Sequence, residues 1–297
     1  MSTQKQNILI IGATGQVGLK TIELLESTQD DSIQIIAAVR STEKAKQFTE
    51  RGIASVLIDL NNEATFTKAL KNVHRLFIVT GYTVDMLRQS KALIDYAKKS
   101  GVQHIVHLGA CGRDDTTVAH WAWHQLVERY IEWNGFSFTH LRPETFMQNL
   151  LSYGGAPVIK NGIIIQYVKD ARKSWVDVND VAAVAAQALL KPEVHNGKTY
   201  RLGYDAKSYY DIADMLTEAI GKPFKYVPHP PEDFLKTMKA NGADMAYMDC
   251  VYKHYIRYAE GSIPGADDVF DNFYEITGKQ PTRWADFIEK HKEAFTY

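Results

Sequence analysis

Short apolar runs alternate with longer amphipathic segments along the first half of the chain. Runs dense in Ile, Val and Leu predict five strands, at residues 7–12, 33–39, 54–59, 75–80 and 104–110. The segments between them have the apolar spacing of helices, as in QVGLKTIELLEST at residues 16–28. Strands without polar alternation are typical of a parallel sheet that is covered on both faces. We therefore predict a doubly wound α/β fold over about residues 1–150.

The second half of the chain is less regular. A helix is predicted at residues 116–134 and a sixth strand at residues 136–143, before this change of pattern. Residues 162–203 contain three further strand patterns and one helix, and we expect this segment to return in part to the core of the first domain. After Ser208 the apolar spacing is mainly helical. The sequence thus predicts a second, smaller and mostly helical lobe over residues 151–297.

Composition and charge exclude several classes of protein. Of the 297 residues, 45% are hydrophobic and 23% are charged, which is typical of a globular protein. The net charge of −1 gives no general attraction to nucleic acid or to a membrane surface. No apolar run reaches the 18 residues of a transmembrane helix, and MSTQKQNILIIG lacks the features of a signal peptide. Cys111 and Cys250 are too few for a disulfide framework or a four-cysteine zinc site, so we expect a cytoplasmic protein.

A glycine-rich turn, GATGQVG, joins the first predicted strand to the first helix. Glycines at such a turn let the backbone approach a pyrophosphate, and the start of the helix offers free N–H groups and a positive dipole end. This context predicts a dinucleotide-binding Rossmann domain rather than an ordinary flexible turn. The candidate cofactor-binding residues of the turn are Gly12, Thr14, Gly15, Gln16, Val17 and Gly18.

The end of the second strand indicates which dinucleotide binds. A carboxylate at this place typically binds the ribose 2′-hydroxyl of NAD. The sequence AAVRSTEKA instead has Arg40 and Lys44, with no acid before Glu43. Two cations one helical turn apart are suited to a 2′-phosphate, so we predict that NADP(H) is preferred over NAD(H). The alternative is a solvated helix start with ordinary charges.

Two further strand ends are candidates for cofactor contacts. Asp59 and Leu60 follow the third strand, which lies beside the second, and we expect them near the adenine. Thr80, Gly81 and Tyr82 follow the fourth strand, where ligands of doubly wound folds cross the sheet. Each of these residues is alternatively an ordinary loop residue.

Five segments together resemble the NmrA-like branch of the atypical short-chain dehydrogenases/reductases. They read ILIIGATGQVG, AAVRSTEKA, LRPETFMQNLL, WVDVNDVAAVAAQAL and TGKQPTRWADFIEKH, and they span nearly the whole chain. The resemblance implies a Rossmann domain that binds NADP(H) and a small C-terminal lobe that closes over the substrate. This family includes reductases and also regulators that bind a dinucleotide without evident catalysis, so the resemblance leaves both functions open.

The helix after the fifth strand departs from the wider superfamily. Catalytic members carry a Ser after that strand and Tyr-x-x-x-Lys on the helix. Here HLGACG puts Gly109, Ala110 or Cys111 at the Ser place, and VAHWAWHQLVERY puts His120 and His124 at the Tyr and Lys places. NmrA-like relatives often carry His-x-x-x-Lys, so His124 is the departure. The Tyr-based mechanism is therefore not available to this chain.

The two histidines have three interpretations. Their spacing matches a zinc motif of two helical histidines, but Trp121 replaces the Glu of that motif and no third ligand is suitably spaced, so we predict no metal. Both histidines are alternatively packing residues. In the third interpretation His124 reaches the nicotinamide ribose or amide, and His120 faces the substrate as a general acid.

Several other residues are candidates for the substrate end of the site. Pro143 and Glu144 follow the sixth strand and are expected near the nicotinamide, although Glu144 is alternatively a charge at a helix start. Candidate substrate contacts are Tyr82, Cys111, His120, Phe146 and Asn149. Cys111 is alternatively an inert loop cysteine. The aromatic residues of ADMAYMDCVYKHYIRYAEG form a packed helix face or a substrate wall, and the run KDARKS is interpreted as a solvated loop.

Two functions are compatible with these features. The first is an NADPH-dependent oxidoreductase that transfers a hydride directly to a small conjugated or aromatic acceptor, such as a quinone, dye or enal. The second is a redox sensor that binds NADP(H) and acts through a protein partner. The complete lobe and its aromatic helices favour the reductase, whereas His124 favours the sensor, and we favour the reductase. We expect a small-molecule substrate, a homodimer or a regulatory partner, and no nucleic acid or membrane.

Overall fold

A computed structural model describes residues 5–152 and 158–296 of the chain. The chain divides into two compact units. The first consists of Met1–Gly109, Trp123–Arg142 and Val181–Tyr200, and the second of Ala110–Ala122, Pro143–Asp180 and Arg201–Tyr297. Compared with the expected boundary at residue 150, residues 110–122 and 143–150 group with the second unit, and residues 181–200 with the first.

The first half of the chain alternates strands with helices. In chain order its elements are β1 (Gln6–Ile10), α1 (Gln16–Ser27), β2 (Ile33–Val39), α2 (Thr42–Glu50), β3 (Ala54–Leu57), α3 (Phe66–Ala69), β4 (Arg75–Val79), α4 (Met86–Lys99), β5 (His104–Leu108), α5 (Ala119–Trp133) and β6 (Ser137–Pro143). All six predicted strands are present. Helix α5 begins three residues later than predicted, because Thr116 Oγ1 accepts a hydrogen bond from Val118 N in a local turn.

The second half contains more strands than predicted. Its elements are β7 (Thr145–Phe146), β8 (Ile159–Lys160), β9 (Ile163–Gln166), β10 (Lys173–Val176), α6 (Val178–Leu190), α7 (Pro192–His195), β11 (Lys198–Leu202), β12 (Asp205–Lys207), α8 (Tyr209–Ile220), β13 (Lys225–Pro228), α9 (Pro231–Ala240), α10 (Met245–Ala259), α11 (Phe273–Thr277) and α12 (Trp284–Lys290). Strands β7, β8, β12 and β13 were not predicted, because two to four residues are too few for a periodic pattern. Within the described ranges, no helix combines the length and apolar character that crossing a bilayer requires.

A seven-stranded sheet forms the centre of the first unit. Its strand order is β11-β6-β5-β4-β1-β2-β3, and the pairs from β3 through β6 are parallel. The chain places β2 and β3 on one side of β1 and then returns to place β4, β5 and β6 on the other. The strand order therefore reverses between β1 and β4, which is where ligands of such folds bind. The predicted doubly wound fold is confirmed.

The apolar residues of the strands form the core of the first unit. Ile8, Leu9 and Ile10 of β1 are completely buried, as are Leu76 and Phe77 of β4. Burial on both faces of the sheet explains why these strands show no polar alternation. Removal of this apolar surface from water is the main force that holds the strand ends in register.

The second unit combines helices with two three-stranded sheets. The sheets have the strand orders β12-β10-β7 and β13-β9-β8. Trp175 of β10 and Trp284 of α12 are completely buried, with ring centroids 5.1 Å apart at an interplanar angle of 79°. This edge-to-face contact joins a strand and a helix more than 100 residues apart in the sequence and lies at the centre of the second core.

Candidate functional site

The glycine-rich turn approaches its neighbours so closely that side chains are excluded. Gly12 has φ of +73°, and a Cβ atom there would lie 2.9 Å from Cβ of Val79 at the end of β4. A Cβ atom on Gly18 would collide with the carbonyl oxygen of Gly12. Gly15 precedes α1 without a side-chain cap, and the first turn of α1 has no acidic residue. The turn therefore offers unblocked N–H groups to an anion at the place where the strand order reverses.

Arg40 follows β2 at the same edge of the sheet, because β2 lies beside β1. Its side chain is exposed and makes no ion pair or hydrogen bond within the described part of the chain. Ser41 caps α2 by accepting a hydrogen bond from Lys44 N at 3.3 Å, and the Lys44 ammonium donates to Gln47 Oε1 at 3.1 Å. Arg40 is thus an available cation beside the glycine turn, while Lys44 already has a local partner.

The loop after β3 is organised by its own hydrogen bonds. Asp59 Oδ1 accepts from Asn61 N at 2.9 Å, and Leu60 packs against the core of the first unit. Asn61 Oδ1 accepts from both Arg88 and Gln89 of α4 at 2.9 Å. The sequence analysis did not identify this amide cluster, because its donors come from a distant helix. The expected adenine contacts of Asp59 and Leu60 stay predictions.

The residues after β4 lie beside the glycine turn. Thr80 is half-buried, Gly81 is exposed, and the Tyr82 side chain is 72% exposed. A large aromatic ring with this exposure at the reversal of a doubly wound sheet is well placed to contact a ligand. The strand order therefore brings the predicted residues after β1, β2 and β4 to one edge.

His124 contacts a series of buried imidazoles in the first unit. Its Nδ1 lies 3.4 Å from Nε2 of His107 on β5. The ring of His107 is nearly perpendicular to that of His140 on β6, with centroids 5.9 Å apart. Nε2 of His140 lies 3.3 Å from Oε1 of Glu132. Burial is the main cause that lowers the pKa of His107 far below its usual value and the pKa of His140 to about 3, so both rings are neutral at pH 7.

A buried ion pair adjoins these imidazoles. Arg142 donates from Nε and Nη2 to the two oxygens of Glu128, at 3.0 and 2.6 Å. His107, Glu128 and His140 offer possible metal-ligand atoms within 4.8 Å of one another. Arg142 already neutralises Glu128, however, so a divalent ion would bring two uncompensated charges into a buried site. We interpret the group as an ion pair among neutral imidazoles.

Gly109 is one of three residues, with Ala110 and Cys111, that the sequence puts at the place of the superfamily's catalytic Ser. A Cβ atom there would lie 3.2 Å from the carbonyl oxygen of Leu141 and 3.3 Å from Oε1 of Glu128. A side chain at this position would press on the buried ion pair. The absence of a side chain at Gly109 therefore leaves room for the Glu128–Arg142 pair.

His120 contacts aromatic residues of the second unit. Its ring centroid lies 5.2 Å from that of His254 and 5.8 Å from that of Tyr247, both on α10. His120 Nδ1 and His254 Nε2 are buried and have no hydrogen-bond partner among the described residues. Burial lowers the pKa of His120 to about 4. His120 is thus neutral at pH 7, and its ring offers one N–H donor and one lone pair rather than a positive charge.

Glu144 lies in a buried charge cluster of the second unit. Its Oε1 accepts from Arg201 Nη2 at 3.1 Å, and Arg201 Nη1 donates to Asp268 at 2.9 Å. Burial raises the pKa of Glu144 to about 7, although Arg201 opposes the shift. The alternative of a helix-start charge is wrong, because Glu144 precedes strand β7. Cys111 is buried, and burial raises its pKa, so its thiol is protonated at neutral pH.

Lys173 is a buried cation that the sequence analysis assigned to a solvated loop. That prediction is wrong for Lys173 and Ser174, which are 4% and 1% exposed at the start of β10. The Lys173 ammonium lies 4.6 Å from the ring centroid of Tyr258, and burial lowers its pKa to about 8. The apolar pair WV that follows is the only local signal of a buried strand.

The remaining substrate candidates surround the start of α6. Phe146 and Asn149 are half-buried, and Pro143 is buried at the end of β6. Between them Gln148 donates to Asp177 Oδ1 at 2.7 Å and accepts from Val178 N at 3.0 Å. Gln148 therefore fixes the start of α6, while the ligand contacts of its neighbours stay predictions.

The model of the NmrA-like family matches residues 4–288. This chain belongs to the NmrA-like family. NAD(P)H azoreductase from Xenophilus azovorans is 31% identical to it over 290 residues, which are 97% of this chain and 99% of the relative.

Solved structures of NmrA-like and related proteins match over the same length. The NADPH-dependent quinone oxidoreductase of Escherichia coli in complex with NADPH has a TM-score of 0.79 at 27% identity, covering 96% of this chain and 98% of the other. Triphenylmethane reductase of Citrobacter sp. complexed with NADP(H) has a TM-score of 0.81 at 23% identity, covering 96% and 99%. The second likeness shows the fold alone.

Two segments that carry the NmrA-like resemblance are joined in the structure. Asp180, from WVDVNDVAAVAAQAL, accepts hydrogen bonds from N and Oγ1 of Thr282 at 2.8 and 3.2 Å. Thr282 belongs to TGKQPTRWADFIEKH. Trp284 N, in the same segment, donates to Asp205 at 2.9 Å. These family segments therefore have structural roles within the second unit.

Proposed function

We propose that this chain is an NAD(P)H-dependent reductase that transfers a hydride to a small conjugated or aromatic acceptor, such as a quinone or dye. The observation that carries the proposal is the glycine turn at the reversal of the sheet, in a chain that aligns over 97% of its length with an NAD(P)H azoreductase. A quinone oxidoreductase of the family, 29% identical over 258 residues, supports the same acceptor class.

The residues at the sheet reversal fit a dinucleotide. The start of α1 would hold the pyrophosphate, because Gly12 and Gly18 leave space for its backbone and no side chain caps the helix. Arg40 would bind the 2′-phosphate that distinguishes NADP(H) from NAD(H). The bound cofactor supplies the hydride, and the protein's part is to hold and orient the acceptor.

The second unit contains a group of aromatic rings that suits a flat acceptor. His120, Trp121, Tyr247, His254 and Tyr258 form a continuous group of ring contacts. Aromatic faces bind conjugated rings, and the unpartnered nitrogens of His120 and His254 can bond to a polar atom on such a ring. We propose that His120 hydrogen-bonds to the acceptor, and that His124 lies at the nicotinamide end.

Oxidation of NADPH with a panel of acceptors tests the reductase. We expect turnover with a quinone, an azo dye or a cationic triphenylmethane dye. The loss of absorbance at the NADPH band measures the rate. His120→Ala should lower kcat/KM by about 10-fold, the effect of one lost hydrogen bond to a ligand. His229→Ala removes a half-buried histidine of the same unit and should have no effect. Tight NADPH binding without turnover of any acceptor would instead support a redox sensor that acts through a protein partner.

Charge reversal at Arg40 tests the cofactor preference. In Arg40→Glu, affinity for NADPH should fall about 10- to 100-fold, because a charge-assisted contact to the 2′-phosphate is replaced by repulsion, while affinity for NADH should change little. Lys46→Glu is the matched control, since Lys46 lies on α2 and pairs with Glu50 at 3.7 Å. Fluorescence titration measures both affinities. Equal affinities of the unmodified protein for NADPH and NADH would contradict the preference.

A further inference from the structure

A series of imidazoles crosses the interior of the first unit from His124 to the half-buried Glu132. We propose that His107 and His140 form a proton relay that returns a proton from solvent, through Glu132, to His124 after each reduction of a proton-requiring acceptor. The inference rests on the proposed reductase function and assigns three further residues to it. His107, His140 and Glu132 act through His124 and are positioning residues.

The distances define three steps of the relay. His124 Nδ1 and His107 Nε2 are 3.4 Å apart. Nitrogens of His107 and His140 lie within 4.8 Å, and the proposal places one bridging water molecule between them. His140 Nε2 and Glu132 Oε1 are 3.3 Å apart, and the Glu132 side chain is 21% exposed. The series therefore connects His124, which takes the place of the superfamily Lys, with the partly exposed side chain of Glu132.

The unpartnered nitrogens of the series support a relay over a packing role. His107 Nδ1 and His140 Nδ1 are buried and have no hydrogen-bond partner among the described residues. A purely structural histidine satisfies its nitrogens, because a buried unsatisfied polar group is unfavourable. A neutral imidazole accepts a proton at one nitrogen and releases one from the other, so open nitrogens along the series are what proton transfer requires.

The charged groups around the series keep it neutral at rest. The Glu128–Arg142 pair packs beside His107, and Arg129 donates to Glu132 at 2.6 Å. Arg142 acts together with burial to lower the pKa of both His107 and His140, and His104 and Arg129 also face His140. Both rings are therefore neutral before any proton enters the series.

The proton balance differs between classes of acceptor. Reduction of a quinone to the hydroquinone monoanion uses one hydride, and one proton then neutralises the new O⁻; the balance is quinone + NADPH + H⁺ to hydroquinone + NADP⁺. A cationic triphenylmethane dye takes the hydride at its central carbon and becomes neutral, with no proton. A defect in the relay should therefore slow the first reaction and spare the second.

Single-turnover kinetics with both acceptors test the relay. In Glu132→Gln and in His107→Asn, the rate with a quinone should fall about 10-fold, the lower range of acid catalysis, while the rate with a cationic dye stays within about two-fold. Affinity for NADPH should not change. Glu50→Gln, an exposed carboxylate on α2, is the matched control. An equal fall with both acceptors, or no fall with the quinone, would overturn the relay.

Imidazole ¹⁵N spectra of the cofactor-free protein give a readout that does not depend on activity. We expect neutral rings at His107 and His140 and faster exchange of their N–H protons with solvent in the unmodified protein than in Glu132→Gln. Exchange that does not depend on Glu132, or stoichiometric zinc bound to the rings, would overturn the relay alone. Failure of the unmodified protein to reduce any acceptor would overturn the proposed function instead.

Discussion

Gly12 shows how one residue of the glycine turn is fixed by its surroundings. The sequence motif predicted a turn that needs glycine, but not which atom excludes a side chain. That atom is Cβ of Val79, at the end of the neighbouring strand β4. The backbone of Gly12 itself has a positive φ. Two independent causes, backbone conformation and steric contact, therefore require glycine at this position.

Substitution by alanine separates these two causes. Gly12 and Gly52 have φ of +73° and +80°, but nothing lies within 4 Å of a Cβ atom at Gly52. Gly52→Ala should lower the free energy of unfolding by about 1–2 kcal/mol through backbone strain alone. Gly12→Ala should lower it by about 1–3 kcal/mol more through overpacking, and should also weaken NADPH binding. Chemical denaturation measures the difference, and equal losses in the two variants would contradict the contact with Val79.

The histidines show the limit of sequence reasoning at the residue scale. The pattern HWAWH correctly placed His120 and His124 on one helix, where a spacing of four residues puts two side chains on one face. It gave no sign that His124 meets His107 or that His120 meets His254, since those partners come from a strand and a helix elsewhere in the chain. The pKa of His120 is lowered by its burial, which the helix pattern did not predict.

At the scale of elements, helix α6 and the segment before α12 depend on each other. Asp180, in the first turn of α6, is 7% exposed and accepts two hydrogen bonds from Thr282. Burial is the first cause that raises the pKa of Asp180 to about 6, and repulsion from Asp177 adds to it. The ionised form of this carboxyl is therefore disfavoured by folding.

This raised pKa makes the stability of the second unit depend on pH. Because the pKa in the fold is above the unfolded value of 3.8, the contribution of Asp180 is fully present below about pH 4 and is lost as the pH rises through 6. Asp180→Asn keeps an oxygen acceptor for Thr282 N. It should raise the free energy of unfolding at pH 8 by roughly 1–2 kcal/mol. The rise of the Asp180 pKa from 3.8 to about 6 sets an upper limit of ~3 kcal/mol for this gain.

Denaturation at pH 4 and pH 8 measures the effect of Asp180→Asn, which should be near zero at the lower pH. Asp267→Asn, at an exposed aspartate of the same unit, is the control and should leave both values unchanged. A loss of stability of Asp180→Asn at pH 8 would contradict the prediction, because it would mean that the hydrogen bonds from Thr282 stabilise the ionised carboxylate of Asp180 in the fold.

Strands and helices differed in how well the sequence predicted them. The six strands of the first half were predicted because each contains a run of apolar residues, as in β5, which is buried throughout. The short strands β12 and β13 were missed, because their pairing depends on partners distant in the sequence. For the same reason Lys173 was assigned to solvent, although it belongs to a strand that pairs with β12.

At the scale of the whole molecule, the strand order decides which residues meet. The chain places β4 beside β1 and opposite β2, so the loops after these three strands lie together at one edge of the sheet. Right-handed crossovers and short connections restrict such an arrangement to few topologies, which is why the grouping of these loops was predictable. The second unit draws its residues from three separate stretches of the chain, and no local pattern indicated that grouping.

The sequence by itself determined the doubly wound fold and the glycine turn, and it placed two cations, Arg40 and Lys44, after the second strand. These features are local, because apolar periodicity and backbone requirements act over a few residues. Only the tertiary structure decided the partners of His124, the buried pair of Glu128 and Arg142, and the burial of Lys173. Hydrogen bonds and pKa values at these residues depend on groups that are distant in sequence, and packing alone brings them together.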